Sequence, residues 1–162
     1  MFKKILVPLD GSELAAKILP HVVDLAKSNQ AQVTLIHVCY SPLAFGAGEL
    51  TPELMKKAEI HEAKWCSSYM GEAAKGLKTQ GVDAEVKCLE GVPAREIIGF
   101  AEKNNFDLIA LATHGKGEVA WMLGSTAERI VTHSNVPVLL YRVIEYKAPL
   151  LKEVYFATPG VG

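Results

Sequence analysis

Residues 112–128 read ATHGKGEVAWMLGSTAE. Two small-residue turns, His114-Gly115-Lys116-Gly117 and Gly124-Ser125-Thr126, flank a short apolar segment. Such a pair suits an anion with several oxygens. Backbone N–H groups at the start of a helix have no intrahelical acceptor, and the helix dipole favours negative charge there. Glycine lets that backbone approach a phosphate without a Cβ in the way, and Lys116 would add a point charge at the loop edge. A plainer reading stands beside this one. Ser125 followed by Glu128 has the spacing of a capping box, with Ser125 as the N-cap. The two readings are compatible if backbone amides hold phosphate while the hydroxyl caps. Asp10 followed by Glu13 has similar spacing, so helix capping accounts for Asp10 about as well as a ribose contact does. His114 at a strand end and Lys116 on a loop also have ordinary readings, a backbone-satisfied histidine and a solvated charge.

Other chemistries find little support in the chain. It contains no GxxxxGK[ST], no GxSxG and no HExxH, which removes the P-loop, the hydrolase elbow and the zinc protease motif. His21, His61 and His133 fall on separate expected helices and read as structural. No nucleophile stands beside a base, and no carboxylate cluster indicates a magnesium cage. Hydrolysis of a bound nucleotide would rest on positioning and electrostatics alone and would be very slow. The expectation is a binder, not an enzyme. Cys39, Cys66 and Cys88 are widely spaced and odd in number, with no metal-binding spacing. They read as small, separate hydrophobes in a reducing compartment.

The elements that must position these residues alternate in type. KKILVPLD (3–10) is a short strand pattern closed by Asp10-Gly11-Ser12, and Leu14, Ile18, Val22 and Leu25 then recur on one helical face. Pro20 predicts a kink in that helix. AQVTLIHVCY is a second strand, apolar enough to be covered on both faces. Residues 41–50 form a loop rich in Gly and Pro. Thr51-Pro52-Glu53 has the order N-cap, first-turn proline, first-turn acid, and predicts a long helix to about Gln80 that stops at Gly81. Leu54, Ala58, Trp65, Tyr69, Ala73 and Leu77 form its expected buried face. A third strand spans 82–90, a helix follows to about Lys103, and FDLIALAT (106–113) is a fourth, fully apolar strand. A helix from Ser125 and a fifth strand, NVPVLLYRV, complete the series. Strands separated by helices predict a parallel, doubly wound sheet with helices on both faces. Ligands of such sheets sit beyond the carboxyl ends of the strands, where Asp10, Val38 and 113–116 all fall.

The totals bound the possibilities. A chain of 162 residues makes one domain with a sizeable core. The formal net charge of −1 provides no global field for a nucleic-acid backbone. The apolar run after Lys3 and Lys4 ends at Asp10, too soon for a signal peptide, and no window approaches the length of a membrane span. A cytoplasmic protein with no nucleic-acid partner and no membrane insertion is expected. Residues 1–144 form the expected domain, and 145–162 an apolar tail that packs on it or on a second subunit.

KKILVPLDGSE, LIHV, EGVPAREI and DLIALATHG…LGSTAERI…VPVLLYRV occur in this order, and together they resemble the universal stress protein family as far as Val143. The resemblance implies a single Rossmann-like α/β fold with strand order 3-2-1-4-5. It also implies an adenine nucleotide, ATP first and otherwise ADP or AMP, in a stress-response switch. By the same resemblance Asp10 and the Val38 backbone would contact adenosine, with Pro8 and Leu9 as its wall. Ala112, His114, Gly115 and Lys116 would border ribose and phosphates, and Gly124, Ser125 and Thr126 would meet the phosphates from the other side. The chain departs from the family's glycine pattern twice. Ala112 replaces the first glycine, and eight residues (116–123) rather than nine separate Gly115 from Gly124. A nucleotide-free interaction module of the same fold is the alternative. Either form is expected to be a homodimer through the fifth strand, Val136 to Val143, whose apolar edge needs a partner. An unknown protein partner and a magnesium ion carried by the nucleotide are compatible with both the motif and the family.

Overall fold

A computed structural model describes residues 1–39, 51–113 and 123–143. Expectations for the 41–50 loop, for His114, Gly115 and Lys116, and for the 145–162 tail lie outside the described residues. The chain runs β1 (Lys4–Pro8), α1 (Glu13–Ala16), α2 (Leu19–Asn29), β2 (Gln32–Cys39), α3 (Pro52–Thr79), β3 (Ala84–Glu90), α4 (Pro93–Lys103), β4 (Leu108–Thr113), α5 (Ser125–His133) and β5 (Val138–Arg142). The five strands form one sheet in the order β3-β2-β1-β4-β5, with every pairing parallel. The expected doubly wound α/β architecture is therefore present. Winding reverses between β1 and β4, and that reversal opens a crevice at the carboxyl ends.

Alternation along the strands divides the core in two. Ile5, Val7, Leu35 and Ala110 pack with Ile18, Val22, Met70 and Leu77 of the chain around α2 and α3. Leu6, Ile36, Ile109 and Leu111 pack with Ile97, Ala101 and Ile130 of α4 and α5 on the other face. Each large side chain fully withdrawn from water here contributes about 1.5–3 kcal/mol. The amino end of β1 is tied to the turn before β4 by Asp107, whose carboxylate accepts from the Lys3 amide at 2.7 Å and the Lys4 amide at 3.1 Å.

Three local readings change. The kink at Pro20 is a break: α1 ends after one turn, and Pro20 sits in the first turn of α2, where the missing N–H costs no intrahelical bond. The face of α3 is rotated from the expected one, with Cys66, Met70 and Leu77 buried, Leu54 and Trp65 exposed, and Tyr69 half-buried. The cysteines are not all separate, because Cys66 on α3 is disulfide-bonded to Cys88 on β3. Their spacing of 22 residues gives no hint of this. The crossover that lays α3 against β3 brings them together.

Candidate functional site

A crevice of about 280 Å³ lies beyond the carboxyl ends of β1, β2 and β4, at the reversal of winding. This is just below the usual span of small-molecule sites, about 300–1,000 Å³. Eight of the expected site residues line it: Pro8, Leu9, Asp10, Val38, Ala112, Gly124, Ser125 and Thr126. A larger groove of about 730 Å³ lies at the amino ends of the strands, beside Gln30 and Gly81 at the carboxyl ends of α2 and α3. Helix carboxyl ends repel anions, so the smaller crevice is the better candidate for a phosphate.

Each wall has a local cause. β1 ends at Pro8, and Asp10 then accepts a 2.9 Å hydrogen bond from the Ser12 amide. That bond folds a tight turn ahead of α1, so Asp10 is not the helix cap. Ser12 is, with its Oγ accepting from the Ala15 amide at 3.0 Å. Gly11 in this turn has φ +85°, and a Cβ there would run into the six-membered ring of Trp65. Trp65 stacks on Tyr69, ring centroids 5.2 Å apart and nearly parallel, so α3 closes over the turn. Burial, and then the Asp10 carboxylate, push the Tyr69 phenol above its ordinary value.

The opposite wall is the start of α5. Its N-cap is Gly124 with φ −63° and ψ 148°, and no side chain caps it. Ser125 is the first helical residue, so the expected capping box with Glu128 does not form. The Glu128 amide bonds to the Gly124 carbonyl at 2.9 Å, which leaves the amides of Ser125, Thr126 and Ala127 without intrahelical acceptors. By contrast, hydroxyls of Ser12 and Thr51 cap α1 and α3. Ala112 continues β4 in register opposite Tyr141 and is not among the residues of positive φ. Glycine is therefore not required there.

Sequence reasoning missed several lining residues. Ala15, Ile36, Pro93, Ile97, Leu111, Ala127 and Ile130 supply apolar wall and are not among the expected site residues. It also missed His37, an ionisable side chain inside an apolar strand. His37 is 7% exposed, and its Nδ1 lies 2.7 Å from the Leu9 carbonyl. The ring meets Trp65 edge-on at 5.1 Å. Its Nε2 is buried with no hydrogen-bond partner among the described residues, and Glu62 Oε1 is 3.9 Å away.

The model of the universal stress protein family matches residues 1–142. The chain belongs to that family. Universal stress protein MJ0531 of Methanocaldococcus jannaschii is 38% identical over 148 residues, covering 88% of this chain and 83% of the relative. The solved structure of MJ0577, a universal stress protein of the same organism, superposes with a TM-score of 0.76 at 28% identity, covering 90% of this chain and 99% of that one. The universal stress protein of Archaeoglobus fulgidus, solved with dAMP, shares the fold at a TM-score of 0.60 and 21% identity, over 86% and 97% of the two chains. Among the described residues no helix is long and apolar enough to cross a membrane.

Proposed function

We propose that the crevice binds an adenine nucleotide, ATP first and otherwise ADP or AMP, and that the chain acts as a regulatory switch or interaction module in a stress response. The uncapped start of α5 carries this reading. Three amides without intrahelical acceptors border an apolar-walled crevice, and no side chain caps them; hydroxyls cap α1 and α3, while α2 and α4, each with a first-turn proline, also lack a side-chain cap. Pro8, Leu9 and Val38 would wall the base, and Asp10 would accept from ribose hydroxyls. Ser125, Thr126 and Ala127 would present these amides to phosphate, Gly124 would allow its close approach, and Ala112, His114, Gly115 and Lys116 would border ribose and phosphates. The dAMP complex of the A. fulgidus relative supports the ligand class.

Asp10 is the sole carboxylate among the described lining residues. Magnesium would thus enter on the phosphates rather than in a protein cage, and hydrolysis would have no dedicated base. Nucleotide would shift the chain between states only by its difference in affinity for them. The edge strand β5, with Leu139 38% exposed, is the proposed homodimer contact, and the working place is the cytoplasm. The nucleotide-free module is favoured by one observation, the eight residues between Gly115 and Gly124. Native purification, denaturation and mass spectrometry of the released small molecules separate the two. Copurified ATP, ADP or AMP supports the nucleotide reading. An empty chain whose melting ignores added nucleotide supports the module.

A further inference from the structure

The buried face of the sheet beneath α3 gathers side chains that the nucleotide reading does not use. His37 and Cys39 alternate onto it from β2, Cys88 lies opposite His37 in the β2–β3 register, and Cys66 comes down from α3. A ring nitrogen of His37, the Cys39 sulfur and the Cys66 sulfur lie within 4.8 Å of one another, and all three residues are buried. Cys39 is a free thiol. The fourth sulfur, that of Cys88, is bonded to Cys66.

The state of His37 points to what this group can hold. Its Nδ1 lies 2.7 Å from a backbone carbonyl, and a carbonyl can only accept, so Nδ1 carries the proton. In the neutral ring Nε2 then bears a lone pair. It is buried and without a hydrogen-bond partner among the described residues, a costly arrangement for a polar atom. A histidine whose other nitrogen is fixed by a carbonyl is the usual second-shell arrangement of a metal ligand. Three thiolates and one imidazole form a Cys₃His set, which selects tetrahedral zinc over hard cations. In a tetrahedral zinc site the ligand atoms stand about 3.5–3.8 Å apart, so His37, Cys39 and Cys66 must close by up to about 1 Å, and Cys88, outside that group, must swing in once its bond to Cys66 is broken.

We propose that the reduced chain binds one zinc ion through His37, Cys39, Cys66 and Cys88, and that the Cys66–Cys88 disulfide is the metal-free, oxidised form of the same site. The exchange balances. A dithiol reductant gives two electrons and two protons to the Cys66–Cys88 bond and becomes a disulfide itself. Zinc then displaces one proton from each of Cys39, Cys66 and Cys88, and neutral His37 loses none. Oxidation by a disulfide of the same class returns Cys66 and Cys88 to their bond, and the remaining pair of His37 and Cys39 is too few ligands to retain the ion. In a compartment that keeps thiols reduced the disulfide opens, so the zinc form is the resident one there. The cysteines that look unrelated in sequence are then one site. Their ligand spacing is hidden because three separate elements supply them.

The test uses the full chain, reduced with a phosphine, desalted without oxygen and titrated with cobalt(II). The expected result is one equivalent bound, with the visible bands of tetrahedral cobalt and thiolate charge-transfer absorption, both abolished by one equivalent of zinc. The disulfide form should show neither. Cys39→Ala and Cys88→Ser should each weaken binding at least about tenfold, with melting of the metal-free variant followed to establish folding. Cys88 is exposed, so its variant keeps the test valid if Cys39→Ala fails to fold. A reduced chain without the tetrahedral spectrum overturns the proposal. So does equal binding by the disulfide form, or by a folded Cys39→Ala or Cys88→Ser variant.

Discussion

Gly11→Ala should be among the most damaging single-methyl substitutions in this chain, and the structure gives the size of the effect. Gly11 sits at φ +85°, where a Cβ costs about 1–2 kcal/mol. The same Cβ would meet the Trp65 ring, and overpacking of that kind costs typically about 1–3 kcal/mol. The sum is about 2–5 kcal/mol, or roughly 4–20 °C in melting temperature for a chain of this length. Urea unfolding of four proteins apportions it: parent, Gly11→Ala, Trp65→Leu and the double variant. The steric part should vanish in the Trp65→Leu background, giving a coupling of about 1–3 kcal/mol, while the φ cost persists. Gly76→Ala is the control. It lies in α3 with open space around its Cβ position and should stabilise by up to about 1 kcal/mol. A Gly11→Ala cost below about 0.5 kcal/mol, or a cycle without coupling, would show that α3 does not seat Trp65 on the Asp10 turn.

Thr126→Glu separates folding from binding: a carboxylate in the first turn of α5 should stabilise the helix by about 0.3–1 kcal/mol yet abolish detectable ATP binding, and a variant that melts higher and still binds ATP would contradict the phosphate assignment. Ser12→Ala should cost about 1 kcal/mol, as loss of a cap does, whereas Ser125→Ala should change stability by less than about 0.5 kcal/mol; equal costs in chemical unfolding would restore Ser125 as a cap. The Tyr69 phenol should titrate above its ordinary value of 10.0 because burial, and then Asp10, disfavour the phenolate. Its contribution to stability is complete below that pH and is lost as pH rises through the folded value. The difference in ultraviolet titration between the parent and Tyr69→Phe reads it, and a midpoint at or below the ordinary value would refute the assignment.

Much of this was legible in the chain, for physical reasons that also mark the boundary. Short apolar or alternating runs with glycine or proline punctuation report local preference, so all five strands and the Thr51-Pro52 start of α3 are readable. The face of α3 is not. At 28 residues the helix is about 42 Å long, against about 26 Å for the eight-residue β2. Its first half outruns the sheet, and Leu54 is exposed. Periodicity shows which residues align, not what lies across from them. The same holds for Cys66 and Cys88, joined only by a crossover, and for His37, whose meaning depends on the Leu9 carbonyl. The start of α5 at Ser125 is as expected and only its cap differs, because a capping pattern states a preference that the observed Gly124 cap overrides. Eight crevice residues follow from the family resemblance, and of these the gathering of strand ends in a parallel sheet indicates Asp10 and Val38 independently.

The central claim is that the α5 start and the β1 strand end together hold an adenine nucleotide. Calorimetric titration of the nucleotide-stripped chain with ATP tests it most directly. Saturable heat with one ATP per chain, absent in Thr126→Glu, is the predicted result. No heat from ATP, ADP or AMP on a folded chain would contradict it.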